Sequence, residues 1–186
     1  MLSSSSVVVG RLLAALAALA LAGLAGCSSA PPGPPLPTVA AVEVSRYLGT
    51  WYEIAAVPNR FQQQCVADTQ ARYRQQGEDI EVFNRCRQQD GTVSAATGVA
   101  KVVTGSGNAK LRVSFFRPFY GDYWVLALPE DYRWVLVGEP ARRYGWVLSR
   151  MPQLAPADLE AAMKKAESLG YVRTAFKLTP QTQPLP

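Results

Sequence analysis

The chain has 186 residues, with 19 Lys and Arg against 14 Asp and Glu for a formal charge of +5, and it contains no histidine. Without histidine there is no Ser-His or Cys-His catalytic pair, no His-ligated zinc and no proximal-His haem, which removes the commonest catalytic, metal and cofactor chemistries. Its cations, among them Arg72, Arg74, Arg85, Arg87, Arg112 and Arg142, are scattered singly, a solvated exterior rather than a nucleic-acid surface.

From residue 12 to 24 the chain is Leu, Ala and one Gly (LLAALAALALAGL) behind Arg11, the apolar core of a signal peptide. A transmembrane helix needs about 20 apolar residues, and this run is shorter. Its end, Leu24-Ala25-Gly26-Cys27, resembles the bacterial lipobox. That resemblance implies removal of residues 1–26 and acylation of Cys27 with lipid such as palmitate. Because Ser28 follows, it also implies an outer-membrane anchor with the folded part facing the periplasm. Residues 28–40 (SSAPPGPPLPTVA) cannot build a core and favour extended polyproline geometry, so 27–46 reads as a lipidated cysteine on a tether.

Strand signals dominate the rest. Eight short stretches rich in β-branched and aromatic residues, at 51–57, 66–74, 80–87, 93–103, 109–116, 121–128, 133–138 and 144–150, are separated by turn residues such as Gly77, Asp90-Gly91 and Glu139-Pro140. Neighbours so close in sequence pair as an antiparallel meander, which either closes as a barrel or splits into a sandwich. One helix is predicted at 156–169, with Pro156 at its start, Gly170 as its stop, and Leu159, Ala162, Met163, Ala166 and Leu169 on one face; it packs outside the sheet. Cys65 and Cys86 remain as an even pair in an exported chain, and a hairpin turning near Gly77 brings them together as a disulfide, closing a loop worth about 3 kcal/mol; free or metal-binding thiols are the alternative.

Three motifs then occur in order. Gly49-Thr50-Trp51 opens the first strand, Glu130-Asp131-Tyr132 follows the sixth, and Arg150 ends the eighth. Together with the stretch Val113 to Tyr123 they resemble the lipocalin family, in particular its bacterial outer-membrane lipoproteins and apolipoprotein D. The resemblance covers 47–178 and leaves 179–186 as a tail. It implies an all-β fold: an eight-stranded antiparallel up-and-down barrel with one C-terminal α-helix packed outside. It also implies structural roles for Gly49, Trp51 and Arg150. An aromatic on the first strand and an Arg on the last meet only if the sheet closes, and a guanidinium over an indole is worth roughly 0.5 to 2 kcal/mol.

Alternation along the strands, anchored on those motifs, turns Glu53, Ala55, Val82, Asn84, Gly98, Ala100, Val113, Phe115, Tyr123, Val125, Trp134, Leu136, Tyr144 and Trp146 inward, with Phe61 capping the mouth from the loop after the first strand. All but Asn84 and Gly98 are ligand-contact candidates. Eight strands enclose room for side chains or one small ligand, and the small inward residues Gly98 and Ala100 favour a cavity. The expected function is therefore binding, storage or transport of a lipophilic molecule such as a fatty acid or lysophospholipid, without catalytic residues, metal or cofactor. The expected partners are the lipid and the membrane, not nucleic acid, with the protein a monomer or homodimer. A filled barrel serving as an envelope structural protein is the alternative, and a lipocalin-type enzyme a more distant one.

Overall fold

The apolar and aromatic stretches form consecutive strands in a computed structural model that describes residues 34–183 and 185; the expected leader and Cys27 lie outside the described residues. In chain order these are β1 (Gly49–Ala56), β2 (Ala67–Gln76), β3 (Asp79–Arg87), β4 (Val93–Val102), β5 (Lys110–Phe116), β6 (Phe119–Ala127), β7 (Trp134–Gly138) and β8 (Gly145–Ser149). Each pairs antiparallel with the next. β1 also pairs with β8, from Tyr52↔Ser149 to Ala56↔Trp146, and this closes the barrel. A closed sheet leaves no long unpaired edge, which removes the aggregation hazard of a meander.

Closure is uneven. β1 pairs with β2 only from Gly49↔Tyr73 to Tyr52↔Gln70, so above Tyr52 the two strands part. A strand that the sequence does not announce, β9 (Lys177–Leu178), fills part of the gap by pairing with Ala55 and Ala56. The loops at 57–66, 88–92, 117–118 and 139–144 surround the open end, and those at 77–78, 103–109 and 128–133 lie at the closed end.

Helix α1 (Val44–Tyr47) and the chain before it cover the closed end. The tether expected up to residue 46 thus gives way to ordered packing at Leu36. Leu36, Val42 and Tyr47 are buried, Val39 N donates to Val125 O at 3.0 Å, and Val42 N donates to Gly107 O at 2.7 Å. Composition hid this, because three apolar residues spaced among prolines dock on a surface that exists only once the barrel has formed.

Helix α2 (Pro156–Ser168) begins with Pro156 and buries Ala162, Met163 and Ala166 against Ile54, Trp134, Leu136 and Val147 on the outer face of the barrel. Arg133 fixes its first turn by a two-pronged bond to Asp158, at 2.9 and 2.6 Å. The molecule therefore has one core inside the barrel and one between barrel and helix, both within residues 36–186, which form a single compact unit. Of the preceding unit only Pro34 and Pro35 are described. A disulfide joins Cys65 to Cys86, with Cα atoms 5.5 Å apart, and so ties the 57–66 loop to β3.

Candidate functional site

At the closed end the Arg150 guanidinium lies 3.9 Å from the Trp51 ring centroid and donates to the Thr50 carbonyl at 2.9 Å and to the Arg46 carbonyl. Gly49 has φ +93, a backbone conformation that glycine adopts without strain, while a Cβ there would only reach ordinary contact with that guanidinium at 3.4 Å. The Trp51 indole donates to the Tyr47 carbonyl at 2.8 Å. Above it, the hydroxyls of Tyr47 and Tyr73 both meet that of Tyr123, at 2.7 and 2.8 Å. Burial raises all three phenols, Tyr73 to about 12, so they stay neutral hydrogen-bonding groups at ordinary pH.

Higher up, the wall is built from small residues. Cross-strand pairs share a face, and Ala71 pairs with Asn84, which pairs with Ala96; Tyr73 pairs with Val82, which pairs with Gly98; Ile80 pairs with Ala100, which pairs with Val113. Val113, Tyr123 and Trp146 pack against the interior core yet keep accessible surface, and Ala96, on the Asn84 face, is exposed. Side chains inside a barrel retain accessible surface where the open mouth or a hollow between the walls admits solvent. Asn84 Oδ1 is buried without a hydrogen-bond partner in this part of the wall.

The mouth is aromatic on one side and polar on the other. Phe61, from the 57–66 loop, lies 5.7 Å from Tyr144, whose ring stacks on Trp146 at 6.2 Å. Gln62 reaches in beside them: its Oε1 accepts from the Trp146 indole at 3.0 Å, and its Nε2 donates to Glu53 Oε2 at 2.7 Å. The other oxygen of Glu53 accepts from the Thr179 hydroxyl at 2.6 Å. Burial pushes the Glu53 carboxyl up, opposed by the bonds from Thr179 and Gln62. A cleft of about 290 Å³ opens where β1 and β2 part, with Glu53, Gln62, Val66, Thr69 and Thr179 on its walls.

Residues 179–183 strap this parting. Gln181 donates to the carbonyls of Glu53 and Thr69, 2.9 Å each, standing in for the missing ladder. Asp68, fully buried with φ +57, accepts from the amides of Thr182 at 2.6 Å and Gln183 at 3.0 Å and from Arg87 Nε at 2.7 Å. Burial alone would raise its pKa, but these bonds together outweigh burial and hold it below the ordinary value.

Of the expected ligand contacts, Val82, Ala100, Val113, Tyr123, Val125 and Trp146 lie with the interior core, Glu53 is buried at the cleft, and Phe61 and Tyr144 stand at the mouth. Four do not lie inside. Trp134 and Leu136 point to helix α2; β7 is buried on both faces, so its pattern carried no phase, and Val135 and Val137 are the inward pair. Ala55 also joins the helix-side core, because a register shift between Glu53 and Ala55 breaks the alternation. Phe115 is 44% exposed, on the rim of an open cleft, following another shift between Val113 and Phe116.

Gln62, Thr179 and Gln181 were not anticipated, since a polar loop and a Pro-rich tail carry no local signal of what they meet. Among the described residues no group of three or more Cys, Asp and Glu side chains is placed to hold a metal ion.

A family model described as a lipocalin-like domain matches residues 42–181. The chain is 35% identical over 156 residues to temperature-induced lipocalin-1 of Arabidopsis thaliana, covering 80% of this chain and 84% of that one. It is 39% identical over 135 residues to the outer membrane lipoprotein Blc of Escherichia coli K12, covering 72% and 76%. The solved structure of insecticyanin from the tobacco hornworm Manduca sexta superposes with a TM-score of 0.67 at 19% identity, over 81% of this chain and 86% of that one, and so shares the fold.

Proposed function

The chain belongs to the lipocalin family, and from that premise we propose that it binds a lipophilic ligand, a fatty acid, lysophospholipid or similar amphiphile, in the upper half of its barrel. The observation that carries this reading is the accessible surface kept by Val113, Tyr123 and Trp146 inside a closed sheet. A hollow lined by apolar and small residues takes an acyl chain, and Glu53, Gln62 and Asn84 offer hydrogen bonds to a polar end. The protein acts as a carrier or store rather than an enzyme. Similarity to outer membrane lipoproteins supports a place at the outer membrane, with acylated Cys27 as anchor and the barrel facing the periplasm.

The test is direct. Residues 28–186, delipidated, are titrated with a fluorescent fatty acid while Trp emission is followed. Quenching at micromolar probe, weakened about tenfold by Trp146→Ala on loss of a pocket aromatic, supports the carrier. No uptake at micromolar probe overturns it and leaves the filled-barrel structural role, which the packed tyrosine cluster at the closed end would then extend upward.

A further inference from the structure

Of the large apolar side chains left in solvent, Met151, Val172 and Leu178 stand singly on other segments, whereas most of the rest gather at one end of the barrel. Phe116 is 76% exposed, Phe119 71% and Phe61 60%, and all three stand at the open end, as do the half-exposed Val66 and Val93. Phe116 and Phe119 flank the β5–β6 turn and stack on each other, ring centroids 6.3 Å apart and 4° from parallel. Two largely exposed phenyl rings stacked at the tip of a hairpin are a clustered apolar patch rather than the scattered exposure normal for a soluble surface.

Cations accompany these rings. Arg60 lies over Phe61 at 5.0 Å, Arg143 over Tyr144 at 5.9 Å and Arg112 over Tyr120 at 5.7 Å, while Arg117 sits in the turn between the two stacked rings. Segments 57–66, 115–121 and 141–146 contain no Asp or Glu, and the first acid beyond them, Asp122, stands opposite Arg112 in the β5–β6 pair. Of the acids in the open-end loops, Glu139 is buried and accepts from the amides of Ala141, Arg143 and Tyr144, while Asp90 is exposed and bonded to Thr92 in its own turn. At the closed end acids and cations are mixed and paired, Glu43 with Arg46, Asp79 with Lys101 and Asp131 with Arg133.

We propose that the open rim of the barrel docks on an anionic phospholipid surface, with Phe116 and Phe119 set among the headgroups and the flanking arginines against lipid phosphates. Aromatic and Arg side chains together suit the interface, where rings bury their apolar faces and guanidinium groups stay hydrated and paired. The three loops ring an opening rather than line a groove, so one broad surface meets all of them at once. Docking in this orientation brings the mouth of the barrel to the lipids. It does not require that the barrel hold a ligand, so it stands or falls separately from the carrier reading.

The experiment is co-sedimentation of residues 28–186, which lack any acyl anchor and contain the whole folded unit, with vesicles of phosphatidylcholine alone or mixed equally with phosphatidylglycerol. Binding is expected to the mixed vesicles and several-fold less to phosphatidylcholine. Phe116→Ser with Phe119→Ser loses about tenfold or more on mixed vesicles. Arg117→Ser loses about fivefold there and little on phosphatidylcholine. Soluble fatty-acid probe uptake by both variants stays at the level of the parent. Absence of binding to mixed vesicles at millimolar lipid overturns the proposal, as does parent-like binding by the double Phe variant. So does the finding that the double variant only converts a dimer to a monomer, which makes the patch a self-association face.

Discussion

The two ends of this barrel solve different problems with the same residue types. At the closed end Tyr47, Trp51 and Tyr73 are buried, bonded through their polar tips and covered by Arg150 and α1. At the open end Phe61, Tyr144 and Trp146 form a row of ring contacts that begins in solvent and descends into the barrel, and β1 and β2 part instead of pairing. Aromatics with every polar atom satisfied and every face covered contribute to stability. Aromatics with accessible faces contribute a surface for something else. Stability thus belongs to one end and binding to the other, and the two should be separable by substitution.

The largest expected effect tests the closed end. Trp51→Ala removes a fully buried indole from the base of the core and exposes the Arg150 contact, which costs about 3 to 5 kcal/mol. Urea unfolding measures the loss, and probe affinity of the variant, read in low urea where it is still folded, is expected to match the parent. A parallel fall in affinity would break the separation. A smaller effect tests the seam. Asp68→Asn weakens bonds from Arg87, Thr182 and Gln183 that now end on a charge, at a cost of about 2 kcal/mol. Here the change is local: amide exchange is expected to quicken at residues 179–183 and to stay slow at the closed end. Uniform quickening would show that the strap holds the whole barrel.

How far the sequence foretells these regions follows from how local their signals are. Gly49, Trp51 and Arg150 sit in spaced motifs, Cys65 and Cys86 are a counted pair, and α2 carries a Pro start, a Gly stop and a single apolar face, so each is legible. Alternation fails where both sides of a strand are covered, as at Trp134 and Leu136. It fails again where a register shift changes the phase, as at Ala55 and Phe115. The strap and the Leu36–Val42 segment fail for another reason: their partners lie a hundred residues away or on a surface made by several strands. Gln181 looks like any polar tail residue until Glu53 and Thr69 present it with two carbonyls.

The smallest effect concerns the point where seam and mouth meet. Glu53 is bonded to Thr179 of the strap and to Gln62 of the mouth loop, and burial raises its pKa above the unfolded value. A carboxyl shifted in this direction contributes most to folded stability below the ordinary carboxylate range, and that contribution is lost as pH rises through its folded pKa. Asp68, held below its ordinary value, behaves oppositely: its contribution is present above the unfolded pKa and lost as pH falls through the folded one. Strap and mouth are therefore held by two acids with opposite pH dependence. Glu53→Gln keeps the shape and removes the charge, so the stability of the variant relative to the parent is expected to rise between about pH 4 and about pH 7, read by urea unfolding at each pH. A difference that stays constant over that range would mean that Glu53 is ionised without penalty, and that the cleft is wetter than its hydrogen bonds to Thr179 and Gln62 imply.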